Sequence, residues 1–248
     1  MSKFERFARL HVAGEPLVLF NVWDAGSAAA VARAGAKAIA TGSASVAAAN
    51  GFTDGEAVPM DFAIANAKRI VEAVDLPVTV DFEGGYAADP EEAARNVAKL
   101  AATGAIGCNF EDQVVGTDQL YPIADQAARI AAVRRAVGPD FFINARTDIF
   151  LKAPIEKHDA AMVDAALERA RAYADAGASG FFVPLLADLQ LLERMCRESP
   201  LPVNFMAFPR CPSNAEVAAA GVARISHGPF PQIALMKKLE EMAREALG

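Results

Sequence analysis

The stretch Val80-Asp81-Phe82-Glu83-Gly84-Gly85-Tyr86 gives the strongest indication of how this chain is built. It follows an apolar, β-prone run, and it contains two acids one residue apart and then two glycines. Because side chains alternate along a strand, Asp81 and Glu83 are expected on the same side of it. The glycines allow the backbone and a ligand to approach each other closely. The pattern predicts a strand with a functional site at its C-terminal end.

Two later apolar runs end in charged residues in the same way. The run at residues 106–110 is followed by Glu111-Asp112, and the run at residues 141–145 by Arg146-Thr147-Asp148. Parallel α/β folds build their active sites at the C-terminal ends of strands. Strand ends that carry acids, without histidine or cysteine, indicate a site for a hard cation with oxygen ligands, Mg²⁺ or Mn²⁺. The alternative is that the acids, Asp112 and Asp148 above all, only cap the helices that follow.

A repeated unit predicts the architecture. A helical stretch ends in a glycine and a short apolar strand follows at once, as at Gly35, Gly104, Gly177 and Gly221. The predicted strands are residues 17–21, 36–41, 78–81, 106–111, 141–145, 180–183, 203–206 and 222–226. These β/α units predict a single TIM-type (β/α)8 barrel domain over residues 1–248. An open doubly wound sheet is less favoured, because no glycine-rich dinucleotide loop follows the first strand.

Composition narrows the class of protein. Hydrophobic residues make up 53% of the 248 residues, and no apolar run approaches the roughly 20 residues of a membrane span. A net charge of −7 without a basic run argues against nucleic acid and anionic membranes as partners. Three cysteines without metal-type spacing, and an amphipathic start without a signal peptide, predict a cytoplasmic protein. His11, on the predicted first helix, is expected to be solvated.

Six motifs in order resemble a known family. They are Asn21-Val22-Trp23-Asp24-Ala25-Gly26-Ser27-Ala28, Ala40-Thr41-Gly42-Ser43-Ala44, Asn50-Gly51-Phe52-Thr53-Asp54, Asp81-Phe82-Glu83-Gly84-Gly85-Tyr86, Glu111-Asp112 and Ala145-Arg146. Together they resemble the isocitrate lyase and phosphoenolpyruvate mutase superfamily, from about Val18 to about Asn204. One such motif is weak, but six in the right order are specific.

The resemblance implies a Mg²⁺-dependent barrel that acts on small 2-oxo or 2-hydroxy carboxylates by making or breaking a bond next to an enolate. It assigns the metal, often held through water, to Asp81, Glu83, Glu111 and Asp54. The family more usually has Asp-x-Asp where this chain has Asp81 and Glu83. A homo-oligomer, a dimer or a tetramer with an exchanged terminal helix, is also implied.

The same resemblance implies the substrate-side residues. The backbone that grips the substrate carboxylate and carbonyl is assigned to Gly42, Ser43 and Ala44, and the anion-binding arginine to Arg146. A substrate-side asparagine of the lyase branch corresponds to Asn204. Arg146 and Tyr86, the tyrosine of the acid-x-acid motif, are the catalytic candidates. Two structural alternatives stay open: Arg146 as a partner of Asp148 or Glu111, and Asn204 as a satisfied polar residue.

The chain also departs from the family. Lyases of the family carry a Lys/Arg-Cys-Gly-His motif after the fourth strand, whereas residues 112–122 here contain no cysteine, histidine or lysine. The glutamate that the lyase branch places after strand six is also absent. Cleavage of isocitrate or methylisocitrate is therefore disfavoured. Cys108 is expected to be a small buried residue, and Tyr121 and Asp118 are candidates for general acid.

Three functions remain open at this point. The favoured one is a Mg²⁺-dependent lyase or decarboxylase that cleaves a C–C bond of a small 2-oxo or 2-hydroxy carboxylate through a stabilised enolate. The alternatives are a phosphonopyruvate-type C–P bond mutase or hydrolase, and a non-catalytic relative that binds a carboxylate.

Overall fold

The computed structural model describes residues 1–248 and contains one sheet of eight parallel strands. The strands are β1 Leu17–Leu19, β2 Ile39–Ala40, β3 Val78–Asp81, β4 Gly107–Glu111, β5 Phe142–Arg146, β6 Gly180–Phe182, β7 Val203–Met206 and β8 Arg224–Ser226. β1 pairs with β8, and every other neighbour in the sheet is a neighbour in the chain. A bridge between Val22 and Thr41 brings the β1 and β2 sides together. The predicted (β/α)8 barrel is confirmed, and all eight strands lie where the sequence placed them.

Helices alternate with the strands. They are α1 Lys3–Arg9, α2 Ala25–Arg33, α3 Ser43–Ala49, α4 Met60–Ala73, α5 Pro90–Ala101, α6 Ile123–Val137, α7 Ala160–Asp175, α8 Leu189–Glu198, α9 Asn214–Ala219 and α10 Phe230–Leu247. Side chains cap several N-termini, as Asp24 does for α2 and Asp159 for α7. The glycine of the repeated unit takes the left-handed conformation that ends a helix, for example φ +100° at Gly177. None of the helices combines the length and the apolar character needed to span a bilayer.

Helix α1 closes the N-terminal end of the barrel. Phe7 is fully buried and meets Phe142 of β5 edge to face, with 5.2 Å between ring centroids. His11 stacks on the same Phe142 ring at 4.4 Å, and burial lowers its pKa to about 3. The expectation of a solvated His11 was therefore wrong, because α1 packs beneath the barrel rather than along its surface.

Between α1 and the C-terminal ends of the strands, the barrel interior contains polar side chains. Asn144 donates through Nδ2 to Asn109 Oδ1 at 2.8 Å and to Asn204 Oδ1 at 3.0 Å. Arg224 Nη2 donates to the same Asn109 oxygen at 3.3 Å, and its side chain is 1% exposed without an ion pair. Asn109 in turn donates to Asp81 Oδ1 at 3.4 Å. A buried network thus connects the barrel interior to the acid at the end of β3.

Close contact between β4 and β5 generates a stability prediction. A Cβ at Gly107 would lie 2.5 Å from the carbonyl oxygen of Phe142 and 2.8 Å from its Cβ, and a backbone carbonyl in a sheet cannot move away easily. We expect Gly107→Ala to lower the free energy of unfolding by about 1–3 kcal/mol, as overpacking does. Urea unfolding followed by circular dichroism measures this change.

The matched control is Gly26→Ala, inside α2. The nearest atom to a Cβ there is Asp24 Oδ1 at 3.5 Å, an ordinary contact. Glycine in a helix lowers the free energy of unfolding by roughly 0.5–1 kcal/mol relative to alanine. The free energy of unfolding of this variant should therefore equal or exceed that of the wild type. Equal unfolding midpoints for Gly107→Ala and the wild type would contradict the tight β4–β5 contact.

Candidate active site

A cavity of about 170 Å³ opens at the C-terminal ends of the strands. Six of the predicted site residues line it: Gly42, Ser43, Ala44, Asp54, Asp81 and Arg146. The other lining residues are Asn21, Asn109, Leu151, Phe182, Pro184, Met206, Ser226, Gly228 and Pro229. A larger groove of about 780 Å³ lies on the outside of the barrel, between the β1 region and α2. The cavity, rather than the groove, gathers the acids and the arginine, so it is the candidate active site.

Asp81, the last residue of β3, is held from two sides. The backbone N–H and the hydroxyl of Ser43 both donate to Asp81 Oδ2 at 3.1 Å. Thr41 Oγ1 accepts the backbone N–H of Asp81 at 2.9 Å. The N–H and hydroxyl of Ser43, assigned above to a substrate carboxylate, hold a carboxylate of the protein itself in this structure.

Glu83 reaches the site by a different route from the one predicted. β3 ends at Asp81, and Glu83 lies in the turn beyond it with φ +49°, so strand alternation does not set its direction. Glu56 N–H donates to Glu83 Oε2 at 2.6 Å, and Glu56 Oε1 accepts the N–H of Tyr86 at 2.7 Å. These reciprocal bonds clasp the loop after β2 to the loop after β3.

The clasp is built from strained backbone. Glu56, Glu83 and Tyr86 all have positive φ, at +58°, +49° and +57°. Non-glycine residues rarely adopt this conformation, and such outliers cluster at functional sites. Glu56 had no distinguishing signal in the sequence, and only the fold shows its part.

The acids of the site lack enough positive charge to balance them. Burial, and then the charges of Asp54 and Asp81, raise the pKa of Glu83 to about 7. Burial and the Asp81 charge raise the pKa of Asp54, although it is the most open of the group. Burial raises the pKa of Glu111 well above its usual value, despite the opposing effect of Arg146. A cation bound among these carboxylates would stabilise their charged forms and so lower their pKa values again.

Arg146 ends β5 and pairs with two acids. Its Nη1 lies 3.0 Å from Glu111 Oε2, and its Nε and Nη2 lie 2.5 and 3.0 Å from the two oxygens of Asp148. A guanidinium has five N–H donors, so one on each terminal nitrogen remains. The structural role considered for Arg146 is present in the structure, and the side chain also lines the cavity.

Four predicted residues lie outside the main cavity. Glu111 is buried behind Arg146, with which it forms an ion pair. Glu83 and Tyr86 line a neighbouring space of only about 20 Å³, which shares Ser43 and Asp81 with it. Asn204 is buried inside the barrel, where its Nδ2 donates to Phe205 O at 2.8 Å and to Arg224 O at 3.2 Å. The structure therefore does not bring Asn204 to the cavity, and it forms the satisfied interior contacts of the alternative interpretation.

Asn21 was not predicted as a site residue. Its Nδ2 donates to Thr41 O at 2.7 Å, and its Oδ1 accepts N–H groups of His227 and Gly228 at 2.8 and 3.0 Å. It thus ties together the ends of β8, β1 and β2 beside the cavity. The signal was available, because Asn21 is a polar residue directly after an apolar strand.

The candidates for general acid and the cysteines lie elsewhere. The Tyr121 ring stacks on the buried guanidinium of Arg129 at 4.2 Å, and Asp118 is exposed on its loop. Cys108 is fully buried, and burial raises its thiol pKa. Burial also raises the pKa of Cys196, to about 12. None of these groups lines the cavity.

The donors present fit a hard cation bound partly through water. No three His, Cys, Asp or Glu side chains are arranged to hold a metal ion directly. Mg²⁺ usually keeps several waters and takes only one or two carboxylates from the protein. Asp81, Glu83, Glu111 and Asp54 offer only oxygen atoms, and their charge is not neutralised by Arg146 alone. This donor set suits Mg²⁺ or Mn²⁺.

Comparison with known proteins identifies the family. Residues 7–247 match the phosphoenolpyruvate phosphomutase family. A Burkholderia cenocepacia protein described as a phosphonomutase is 53% identical in sequence, with a TM-score of 0.96 over 98% of both chains. An uncharacterised protein of Mycobacterium tuberculosis is 36% identical over 96% of this chain and 87% of its own length. The 2-methylisocitrate lyase of Salmonella typhimurium is 30% identical over 84% of this chain and 72% of its own.

The chain belongs to the phosphoenolpyruvate phosphomutase family, and the superfamily predicted from its motifs is confirmed. The prediction of an enzyme of the carbon–carbon lyase type is likewise confirmed by its relatives, whereas the reaction itself stays open. A phosphonopyruvate hydrolase solved with oxalate and Mg²⁺ has the same fold, with a TM-score of 0.85, but is only 19% identical.

The raised pKa of Glu83 generates a prediction about pH. The pKa of this acid is about 7 in the folded protein and 4.5 in the unfolded chain, so the folded protein binds its proton more tightly. Its contribution to the free energy of unfolding is therefore fully present below pH 4.5 and is lost as the pH rises through about 7. Glu83→Gln removes this titration and keeps an oxygen to accept the Glu56 N–H. The free energy of unfolding of the variant should exceed that of the wild type by less than about 1 kcal/mol at pH 5 and by about 3 kcal/mol at pH 8.

Urea unfolding of both proteins at the two pH values in metal-free buffer measures this difference. Glu245→Gln, at an exposed position of α10, is the matched control and should show no such trend. A Glu83→Gln difference that stays constant between pH 5 and pH 8 would show that Glu83 does not titrate in this range.

Proposed function

We propose that this member of the phosphoenolpyruvate phosphomutase family is a Mg²⁺-dependent lyase or decarboxylase. Its reaction would cleave a C–C bond of a small 2-oxo or 2-hydroxy carboxylate through an enolate. The observation that carries the proposal is one small cavity lined by Asp54, Asp81, Ser43 and Arg146, with more acidic charge around it than the arginine balances.

Asp81, Glu83, Glu111 and Asp54 are the residues that would hold the metal, in part through water. When bound, a divalent ion supplies stabilisation of the negative charge that moves onto the substrate oxygen as the adjacent bond breaks. The chain's own acids would position that ion, and their mutual repulsion would fall on binding it. The oxalate and Mg²⁺ in the hydrolase of the same fold support this assignment.

Ser43 and Arg146 would bind the substrate. The N–H and hydroxyl of Ser43 converge on one carboxylate oxygen in this structure, so they can converge equally on an oxygen of a substrate carboxylate. The two N–H groups of Arg146 that remain free would donate to a substrate anion, while Glu111 and Asp148 fix the plane of the guanidinium. Preorganised donors of this kind stabilise charge without reorganising during the reaction.

The loop after β4 does not contribute a general acid to the cavity, and this limits the reactions that the site can catalyse. Residues 113–120 form a short loop closed by a bridge between Gln113 and Leu120, and it places no cysteine, histidine or lysine near the substrate. A bond cleavage that does not require a general acid suits this site better than isocitrate cleavage does.

A second candidate function is C–P bond chemistry. The family name and the 53% identical relative described as a phosphonomutase favour it. The loop after β4 weighs against it, because it lacks the asparagine and lysines usual in the mutase branch. Release of phosphate from a phosphonate (hydrolase), or its conversion to a phosphate ester (mutase), each visible by phosphorus NMR, distinguishes this function from C–C cleavage.

We also propose that the chain forms a homo-oligomer through α10. Leu235, Met236, Leu239 and Met242 lie on one side of this helix and are 39–55% exposed. The outer groove of about 780 Å³ is lined mainly by apolar residues, among them the exposed Val18 and Phe20. An apolar helix face and an apolar groove on the same chain would cover each other between two copies.

The catalytic proposal predicts a metal-dependent activity. A panel of 2-oxo and 2-hydroxy acids with Mg²⁺ or Mn²⁺ should release pyruvate, glyoxylate or CO₂ from at least one member. Asp81→Asn should reduce that turnover by at least about 100-fold without unfolding the protein, because strand-end acids serve the site rather than the core. Coupled assays measure the products, and circular dichroism checks the fold.

Asp61→Asn, at an exposed position in the first turn of α4, is the control and should retain full activity. Release of phosphate from a phosphonate instead would favour the second candidate function. Binding of 2-oxo acids without any turnover would identify a non-catalytic relative.

The assembly proposal predicts a change in mass. Replacing Leu239 and Met242 together by lysine should convert the oligomer to a monomer, measured by light scattering after size exclusion. Lys237→Glu, on the opposite side of α10, should leave the oligomer intact. A wild-type protein that is monomeric at micromolar concentration would refute the proposal.

A further inference from the structure

The mouth of the barrel is divided into two chemically different halves. Two acids line the cavity, Asp54 from the loop after β2 and Asp81 at the end of β3, and Glu83 and Glu111 lie behind them after β3 and at the end of β4. With Arg146 and the Ser226 hydroxyl as their polar groups, the strand ends and loops from β5 to β8 instead contribute mainly apolar side chains to the cavity: Leu151, Phe182, Pro184, Met206 and Pro229. A ligand that fills the cavity contacts both halves at once.

Arg146 is the only basic residue that lines the cavity. It stands at the boundary of the two halves, and its charge is already matched by Glu111 and Asp148. Its guanidinium lies 5.9 Å from the centre of the Phe182 ring, which carries no charge to offer a ligand.

No other basic residue lines the cavity. Arg129 donates to the carbonyls of Gly84 and Ala87, behind the acidic half. Arg224 lies inside the barrel, in the network with Asn109 and Ser226. With Arg146 bound to the first carboxylate of a ligand, a second carboxylate placed against Phe182 and Met206 would be buried without a cationic partner, which is strongly unfavourable.

The size of the cavity adds a second limit. At about 170 Å³ it is below the range of roughly 300–1,000 Å³ in which drug-sized ligands bind. The carboxylate and the adjacent oxygen of a 2-oxo acid bound to the metal-holding acids would occupy the part beside Ser43 and Asp81. Only a short substituent fits in the remaining space.

We propose that the substrate is a small monocarboxylic acid with a 2-oxo or 2-hydroxy group and a short uncharged tail. The single carboxylate faces Ser43, Asp81 and Arg146, and the tail lies against Leu151, Phe182 and Met206. This inference rests on the function proposed above and narrows it. Since a decarboxylase releases CO₂ from a second carboxylate, a monocarboxylate favours a lyase that releases an uncharged fragment.

Two ligands of equal length test the proposal directly. 2-Oxopentanoate and 2-oxoglutarate differ only in a methyl group or a carboxylate at the far end of the same chain. Calorimetry with the full-length protein in the presence of Mg²⁺ should show at least tenfold tighter binding of 2-oxopentanoate. Without Mg²⁺, the binding of both should weaken.

A variant reverses the preference in a defined way. Leu151 is 38% exposed at the edge of the apolar half, so an arginine is tolerated there. Leu151→Arg should tighten 2-oxoglutarate at least tenfold by supplying the missing cation. Leu151→Met, the uncharged control, should keep the preference for 2-oxopentanoate.

The outcomes separate this inference from the function on which it rests. Mg²⁺-dependent binding in which wild-type protein prefers 2-oxoglutarate would overturn the monocarboxylate class and leave the proposed function standing. Failure of both ligands, and of oxalate, to bind in a Mg²⁺-dependent manner would overturn both proposals.

Discussion

Repulsion between carboxylates at the mouth of the barrel is the constraint on which the site depends. Asp81 and Glu83 follow one strand and Glu111 ends the next, and the three acids meet where only Arg146 forms an ion pair with one of them. Each is held by a specific donor: Ser43 for Asp81, the N–H of Glu56 for Glu83, and Arg146 for Glu111. These contacts hold the three carboxylates close together despite their repulsion. The group of acids still carries more negative charge than Arg146 balances.

The supporting structure explains how such an arrangement persists. Arg129 is 1% exposed, and it donates to the carbonyls of Gly84 and Ala87 on either side of the strained Tyr86. Left-handed backbone at a non-glycine residue costs on the order of 1–3 kcal/mol and survives only where its surroundings fix it. Buried donors on one side and the Glu56 clasp on the other provide that fixing. The conformation of the loop after β3 is therefore held by contacts with α6 and with the loop after β2.

The parts predictable from sequence are those that repeat or end a strand. Periodicity and helix-ending glycines located all eight strands, and charged strand ends located Asp81, Glu111 and Arg146. What could not be predicted depends on contacts between distant segments. Nothing around Glu56 distinguishes it from a solvated acid until the loops meet, and strand alternation could not foresee that Glu83 turns with positive φ. The burial of His11, and the position of Asn204 inside the barrel rather than at the cavity, were not predictable for the same reason, since burial inside a barrel depends on which face of an element points inward.

The division of the mouth has a consequence for how such enzymes diverge. The acidic half is encoded before residue 112 and the apolar half after residue 150, so each is inherited as an almost continuous block of the gene. Substitutions in the later block can alter which acid is accepted while the ion-binding chemistry of the earlier block stays unchanged. Recombination near α6 would join the chemistry of one relative to the selectivity of another, provided that the contacts across the junction, Glu111–Arg146 and Asn109–Asn144, are kept.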